Sequence, residues 1–391
     1  MADNWSLTKI IDFIEFNPYE NLQKGTMAKK VAMEQLLPFT RDISSYEIAP
    51  FNGGAKFRNG DTLMARITPC LENGKTAKVN ILNDSEIGFG STEFIVLRAK
   101  PRISDSDFIY YLATSPLLRD KAIKSMVGSS GRQRVQQGVL NDIEFFAPPL
   151  NEQIKIGRTL RILEDKIANN KKINHHLAEL TQVLFKSWFI DFEPWGGIKP
   201  KDWQIVKFSS FLIPRIEKSN DTTIPLFSVT DMGICPRSDK FIKNLSKTDT
   251  KNKIAYETDI VFGMSREILN WGIMRSPIGG VSSAYNVFAV DNKINSKYLE
   301  SFIKFHSFYF KDLIRPATRE GQGVDKEALM SKSIYIPPDE VLNKYYKIED
   351  ALTVGIRENE EESICLATLR DSLLPRLMSG ELSVSDIVGD K

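Results

Sequence analysis

A chain of 391 residues, 42% hydrophobic and 26% charged, has the composition of an ordinary folded protein and excludes a disordered or membrane-embedded one. One hydrophobic core rarely serves that length, so at least two domains are expected. The formal charge of +2 gives no overall basic field, so any nucleic-acid surface has to be local.

The opening residues Met1-Ala2-Asp3-Asn4-Trp5 show no basic stretch followed by an apolar run. No run of about 18 apolar residues occurs either, so a cytoplasmic protein with no membrane partner is expected. Cys70, Cys235 and Cys365 stand far apart, outside any zinc or disulfide spacing. His175 and His176 are neighbours and His306 stands alone, so no metal site is expected.

In residues 1–149 the apolar runs Ile87-Gly88-Phe89, Phe94-Ile95-Val96-Leu97 and Ile143-Glu144-Phe145-Phe146 are bounded by Gly, Pro, Asn and Asp, which predicts strands and turns. Asn73-Gly74 predicts a hairpin turn. Helices are predicted over 105–115, opened by Asp105, and over 116–126, with Pro116 in the first turn. The pattern changes after Pro148-Pro149. From 151 to 191, Ile156, Leu160, Leu163, Ile167, Leu177, Leu184 and Trp188 recur at helical spacing, which predicts one long packed helix. Some 38 residues would extend roughly 57 Å. Glu193-Pro194-Trp195-Gly196-Gly197-Ile198-Lys199-Pro200 then reads as a joint.

Beyond that joint the chain repeats itself. Pro148-Pro149 falls on Pro337-Pro338, Val135 on Val324, Leu140 on Leu329, and Leu184-Phe185 on Leu373-Leu374, all at an offset of 189. Upstream the match loosens: Asp61-Thr62-Leu63-Met64 resembles Asp259-Ile260-Val261-Phe262 at 198, and Ser91-Thr92 resembles Ser282-Ser283 at 191. A repeat this long is a globular domain plus a connecting helix, not a solenoid unit. The second helix carries its seam as Leu352, Ile356, Leu366, Leu373 and Leu377. The polar breaks Asn170, Asn174 and Thr181 fall on Asn359, Ser363 and Arg370, and polar groups in a seam set register at a cost in stability. Neither seam can remain in water, so antiparallel pairing of the two helices is expected. The expected fold class is mixed α/β (α+β): two similar domains, 1–149 and 193–338, separated by an antiparallel coiled coil of two long helices, within 150–192 and 339–391.

This order of elements carries further motifs: Gly90-Ser91-Thr92-Glu93-Phe94, and Pro148-Pro149-Leu150-Asn151-Glu152-Gln153-Ile154. Two more are Leu184-Phe185-Lys186-Ser187-Trp188-Phe189-Ile190-Asp191-Phe192 and Leu373-Leu374-Pro375-Arg376-Leu377-Met378-Ser379-Gly380-Glu381-Leu382. Together they resemble the specificity subunits of type I restriction-modification enzymes over nearly the whole chain. The resemblance implies that 1–149 and 193–338 are target-recognition domains, each reading one half of a split double-stranded DNA site. It implies that 150–192 is the central conserved helix and 339–391 the distal one with a tail, the pair fixing the unread spacer. A non-catalytic subunit follows, whose partners are two modification (methyltransferase) subunits and restriction (endonuclease/translocase) subunits acting by adenine methylation and ATP-dependent cleavage. No cofactor is then expected in this chain, and S-adenosylmethionine, ATP and Mg2+ belong to those partners. The second copy departs from the family pattern, with Asp339-Glu340-Val341 after its double proline and no acidic residue in Ser282-Ser283-Ala284-Tyr285.

An amino-methyltransferase needs a Pro-Pro-aromatic turn after a small polar residue to hold a flipped base; Asn17-Pro18-Tyr19 comes closest, with one proline. A phosphate-cradling Gly-x4-Gly-Lys-Ser/Thr loop is not found. Base and phosphate recognition needs long polar side chains on loops. In the first domain the candidates are Ser129, Ser130, Arg132, Gln133 and Arg134 on a glycine-flanked loop, and Arg66, Asn73, Lys75 and Lys78 around Asn73-Gly74. Their counterparts in the second are Arg319 and Gln322, and Arg266, Asn270 and Arg275. A solvated basic turn competes for the first loop, and a plain hairpin with Arg66 in an ion pair for the second. Ser91, Thr92 and Glu93 read as a structural turn. Phe185, Trp188 and Phe189 are expected at a subunit interface, with core packing as the alternative. Two other classes stay open: a free-standing methyltransferase or nuclease with a fused recognition domain, and a protein scaffold that binds no DNA.

Overall fold

The computed structural model describes residues 4–129, 131–231, 233–237, 252–265, 268–291, 294–314 and 324–385. The chain divides into two compact units, Met1–His175 with Ile356–Lys391, and His176–Gly355.

The first unit opens with β1 (Ser6–Lys9), α1 (Ile10–Phe13), β2 (Ile14–Phe16), β3 (Met27–Val31), β4 (Glu47–Pro50), β5 (Ala55–Phe57) and β6 (Thr62–Ala65). It continues through β7 (Thr76–Lys78), β8 (Gly88–Gly90), β9 (Phe94–Ala99), α2 (Ser106–Thr114), α3 (Pro116–Lys124), α4 (Gln137–Asn141) and β10 (Glu144–Ala147). One sheet has the order β2-β9-β6-β7, another the order β4-β3-β8-β5, and β1 pairs with β10. The central strands β6 and β9 are apolar on both faces because each face meets its own core. Met64, Ile95 and Leu97 pack with Phe13, Phe108 and Tyr111, while Leu63 and Val96 pack with Val31, Phe57 and Phe94. The helix starts follow the local signals. The Asp105 carboxylate accepts the Asp107 and Phe108 amides at 3.0 and 2.9 Å, and Pro116 occupies the first turn of α3.

The long helix α5 (Leu150–Phe189) leads out of the first unit into the second. There follow β11 (Gln204–Lys207), β12 (Leu212–Pro214), β13 (Lys218–Ser219), β14 (Phe227–Thr230), β15 (Gly233–Pro236), β16 (Asn252–Tyr256) and β17 (Ile260–Phe262). Next come β18 (Trp271–Ile273), β19 (Ile278–Val281), β20 (Asn286–Val290), α6 (Ser296–Phe305), α7 (Lys326–Ser331), β21 (Ser333–Ile336) and a last long helix α8 (Asp339–Met378). The duplication is structural. The order β12-β20-β17-β18 repeats β2-β9-β6-β7, and Gln204 opposite Ile336 repeats Ser6 opposite Ala147. Leu226 bridges Gly280 in parallel, where β3 runs parallel to β8. Each copy also buries one aspartate at the same turn. Asp61 binds Arg98 at 2.7 Å and the Arg58 amide at 2.7 Å, and Asp259 binds Arg215 at 2.7 Å and the Tyr256 amide at 2.8 Å.

The two long helices pack antiparallel in each unit. In the first, Asn359 donates to Asn174 Oδ1 at 2.8 Å, and Asn170 reaches Ser363 Oγ at 3.4 Å and Glu362 at 2.6 Å. Asn359 and Ser363 are the repeats of Asn170 and Asn174, so the seam contacts itself the way a two-fold interface does. Farther along, Ile156, Leu160, Leu373 and Leu377 join the same core as Phe108 and Tyr111. A charged group is buried beside them. Glu164 accepts from the Tyr111 hydroxyl at 2.8 Å and Arg370 at 3.2 Å, with Arg41 at 3.9 Å. Burial pushes its carboxyl above the ordinary range despite these donors.

Glu164→Ala is expected to cost about 1–3 kcal/mol in chemical unfolding, because it leaves the Tyr111 hydroxyl without its acceptor in a dry site, while Arg370 keeps Asp371 at 2.7 Å. A triple replacement Glu164→Ala, Arg370→Leu, Tyr111→Phe should recover most of that loss. A near-zero cost for the single variant would mean that the network does not tie the domain to its helices.

Candidate nucleic-acid interface

Two candidate segments of the first unit come together. Residues 127 and 134 exchange backbone hydrogen bonds at 3.1 and 2.9 Å, and the Arg132 amide binds Ser129 O at 3.0 Å. Gly128 and Gly131, with φ of 140° and 78°, permit this tight reversal. The same strand docks on the segment after β6, Thr68 N meeting Gln133 O at 3.0 Å and Val135 N meeting Arg66 O at 2.8 Å. The pairing brings Arg66 and Arg134 side by side over Glu93.

Arg134 is engaged twice over: Nε lies 3.0 Å from both Glu93 oxygens and Nη2 lies 2.6 Å from Oε1. Arg66 Nε is 3.5 Å from the same carboxylate, an ion pair without a hydrogen bond. Two guanidinium groups therefore share one carboxylate, and the cluster keeps a net positive charge. The Arg134 hydrogen bonds hold Glu93 below the ordinary carboxylate range, and Arg66 adds to the effect. Arg132 is exposed at the tip of the loop and forms no ion pair among the described residues. Arg66 also lines a cleft of about 400 Å3 with Asn17, Tyr19, Gly54, Lys56 and Thr92. Glu93 reads from the sequence as part of a structural turn, and Tyr19 is not among the sequence candidates for DNA contact. Tyr19 is 87% exposed, with Lys56 Nζ 6.0 Å from its ring centroid, and such an exposed aromatic beside cations was the signal to notice. The Asn17 side chain is used internally, accepting from Val96 N at 2.9 Å and donating to Gln137 at 2.9 Å.

Other candidates have partners within the fold. Lys78 is paired with Asp107 and bonded to Ser106 at 3.0 Å, and Lys75 donates to Met33 O at 2.8 Å, so neither ammonium is offered to a ligand. Asn73 is exposed in the turn between β6 and β7, its amide bonded to Pro69 O at 2.9 Å. Gln133 is half-buried, its carbonyl taken by Thr68, and Ser129 is exposed. In the second unit Asn270 closes a turn, donating to Met264 O at 2.6 Å, while Arg275 is surface-exposed and paired with Glu300. Ser130, Arg266, Arg319 and Gln322 lie outside the described residues. The expected interface aromatics are core instead. Phe185 and Phe189 are 1% and 3% exposed, and their rings meet Tyr298 and Tyr345 at 4.9–6.0 Å. Trp188 leans on Trp195 and Tyr345. Phe185 and Phe189 found their apolar surface within their own unit, while Trp188 stays half-buried at the edge of that core.

Duplicated mixed domains, each with its own core, define a protein of two like halves, and in the first of them a loop carries an exposed arginine beside a paired one. Comparison with known proteins specifies it. The profile described as "Type I restriction modification DNA specificity domain" matches residues 5–179. The type I restriction enzyme MjaIX specificity subunit of Methanocaldococcus jannaschii is 27% identical over 307 residues, 72% of this chain and 70% of that protein. The EcoAI specificity subunit of Escherichia coli is 30% identical over 161 residues, 40% of this chain and 27% of that protein. Among solved structures, a chain from work on complex assembly and conformational transition of the type I R-M system has a TM-score of 0.56 at 15% identity, covering 97% of this chain and 99% of that one. The type I restriction-modification S subunit from M. genitalium has a TM-score of 0.50 at 15% identity, covering 96% of each chain. Residues 5–179 thus match the DNA specificity domain of type I restriction-modification systems, and the chain as a whole is similar to specificity subunits of that class. Among the described residues no helix is long and apolar enough to cross a membrane.

The Glu93–Arg134 pair carries a pH signature. A carboxyl held below its unfolded value contributes stability above that value and loses it as the pH falls through the folded one. Arg134→Ala should therefore lower the denaturation midpoint at neutral pH, and the gap from wild type should close as the pH falls through the carboxylate range. A gap that persists at acid pH would assign the loss to packing.

Proposed function

We propose that the chain reads a bipartite double-stranded DNA target, one half-site per domain, and addresses partner subunits to it. The supporting observation is that one sheet order is built twice, each copy with its own core. Two copies of a reading domain imply two half-sites. In this reading modification subunits, two in number, methylate adenine and restriction subunits cleave, and S-adenosylmethionine, ATP and Mg2+ reside in those partners.

Within the first domain Arg132, and Arg66 beside its cleft, are the groups offered to DNA, while Arg134 positions them. Each bidentate contact to a base would contribute about 1–3 kcal/mol of discrimination. The loop 127–134 is the reading element and the cleft edge its flank. In the second domain Arg275 stands at the surface, and the segments holding Arg266, Arg319 and Gln322 are proposed as its reading loops. The spacer follows helix length.

Mapping methylated adenines in cells that carry this chain with its modification subunits should reveal a split motif. Exchanging residues 193–338 for those of another family member should change one half of the motif only; a change in both halves, or in neither, would refute the one-domain, one-half-site assignment. With the motif known, Arg132→Ala should weaken binding about tenfold through the first half-site, checked on duplexes varied in each half separately. Removing one heptad from both helices should shorten the tolerated spacer by roughly 10 Å, about three base pairs.

A further inference from the structure

We infer that Lys218, Lys253 and Lys326 of the second unit form a binding site for nucleic-acid phosphates. The inference rests on the reading of the chain as a DNA-recognition subunit and locates a contact surface for its second half-site.

Lys218 on β13 lies directly opposite Lys253 on β16. Like charges so placed destabilise a sheet, so the pair needs a reason. Lysines do protect sheet edges from pairing, which would account for Lys218 on the edge strand β13. It does not account for Lys253, because β16 is flanked by β13 and β19. Lys253 is half-buried, and its Nζ donates to Tyr285 O at 2.6 Å. The next residue, Asn286, donates to Val324 O at 3.3 Å, which seats the start of α7 and with it Lys326.

The three ammonium groups form no ion pair among the described residues. Nearby acids are otherwise occupied: the Glu217 carboxylate takes the Tyr256 hydroxyl at 3.0 Å, and Asp325 caps α7 through the Glu327 and Ala328 amides at 3.1 Å. Burial lowers the Lys253 pKa, and the charges of Lys218 and Lys326 lower it further, as expected of cations gathered without a counter-ion.

The first unit shows what is missing. The turn that holds Glu93 there, with Arg66 and Arg134 around it, corresponds at the offset of 191 to the turn Ser282-Ser283-Ala284-Tyr285. Ala284 stands where Glu93 does, and Lys253 bonds the carbonyl of the next residue, so the second unit has a cation at this turn and no acid there. The negative charge has to come from the ligand. Lysine is a point charge on a flexible stem, suited to a phosphodiester rather than to reading a base edge.

The test uses the full chain in complex with its modification subunits and a duplex carrying the methylation-mapped motif. Affinity is measured across a salt series for wild type, Lys218→Gln, and the triple variant Lys218→Gln, Lys253→Met, Lys326→Gln. Each phosphate contact contributes about 0.9 to the slope of log affinity against log salt. Lys218→Gln should reduce the slope by about one and the triple variant by about two to three, both keeping the preference for the motif over a base-substituted duplex. Lys218 is exposed, so its single variant answers even where the triple variant does not fold. Unchanged slopes with motif preference intact overturn the lysine site and leave the recognition reading standing. A wild-type complex with no preference for the motif overturns both.

Discussion

The fold depends on two helices that cannot exist alone in water. Each runs 40 residues with an apolar stripe on one side, and isolated helices of that kind draw most of their stability from what covers the stripe. Because the helices are repeats of one sequence, the antiparallel arrangement lets each stripe be covered by its own copy. Asn170 and Asn174 then meet Ser363 and Asn359, a match that one register supplies and a shift by a turn destroys. In the first unit the stripe does not stop at the helix pair. Ile156, Leu160, Leu373 and Leu377 pack in one cluster with Phe108, Tyr111 and Leu112, so the helix pair and the domain share a core.

That shared core explains where variation is tolerated. The loop 127–134 and the turn at 91–93 lie outside it and are fastened by backbone hydrogen bonds, which leaves their side chains free to change. The buried charges behave differently. Asp61, Asp259 and Glu164 each have an arginine partner, and a buried charge that loses its partner is costly. They belong to the frame. Glu93 stands between these regimes, near enough to the surface to face a ligand and strongly enough bonded to hold two arginines in place.

The local features were legible in the sequence. Asp105 and Pro116 announced their helices, the spacing of leucines announced the seams, and the constant offset of 189 announced a duplicated domain. Features set by strand register were not. No local pattern says that Arg134 will lie over Glu93, that Lys78 will reach Asp107, or that Lys218 will face Lys253, because each depends on which strands become neighbours across a long loop. The aromatic triplet Phe185, Trp188 and Phe189 misled for a related reason. A hydrophobic stripe shows that something covers it, and only the fold shows that Tyr298 and Tyr345 of the same unit do so.

The two copies keep one scaffold and solve the charge problem at one turn in different ways. With Glu93 present, the guanidinium groups of Arg66 and Arg134 are oriented by hydrogen bonds and an ion pair, and an oriented planar fork is suited to contacts that depend on angle. With Ala284 in its place, the second copy gathers lysines, whose attraction depends on distance and hardly on direction. A domain of the first kind can discriminate, whereas the second kind of surface mainly anchors. On the proposed reading, base recognition in the second unit comes from side chains elsewhere on its loops. The two copies thus share the sheet order and the seams and differ in the charges at the turn.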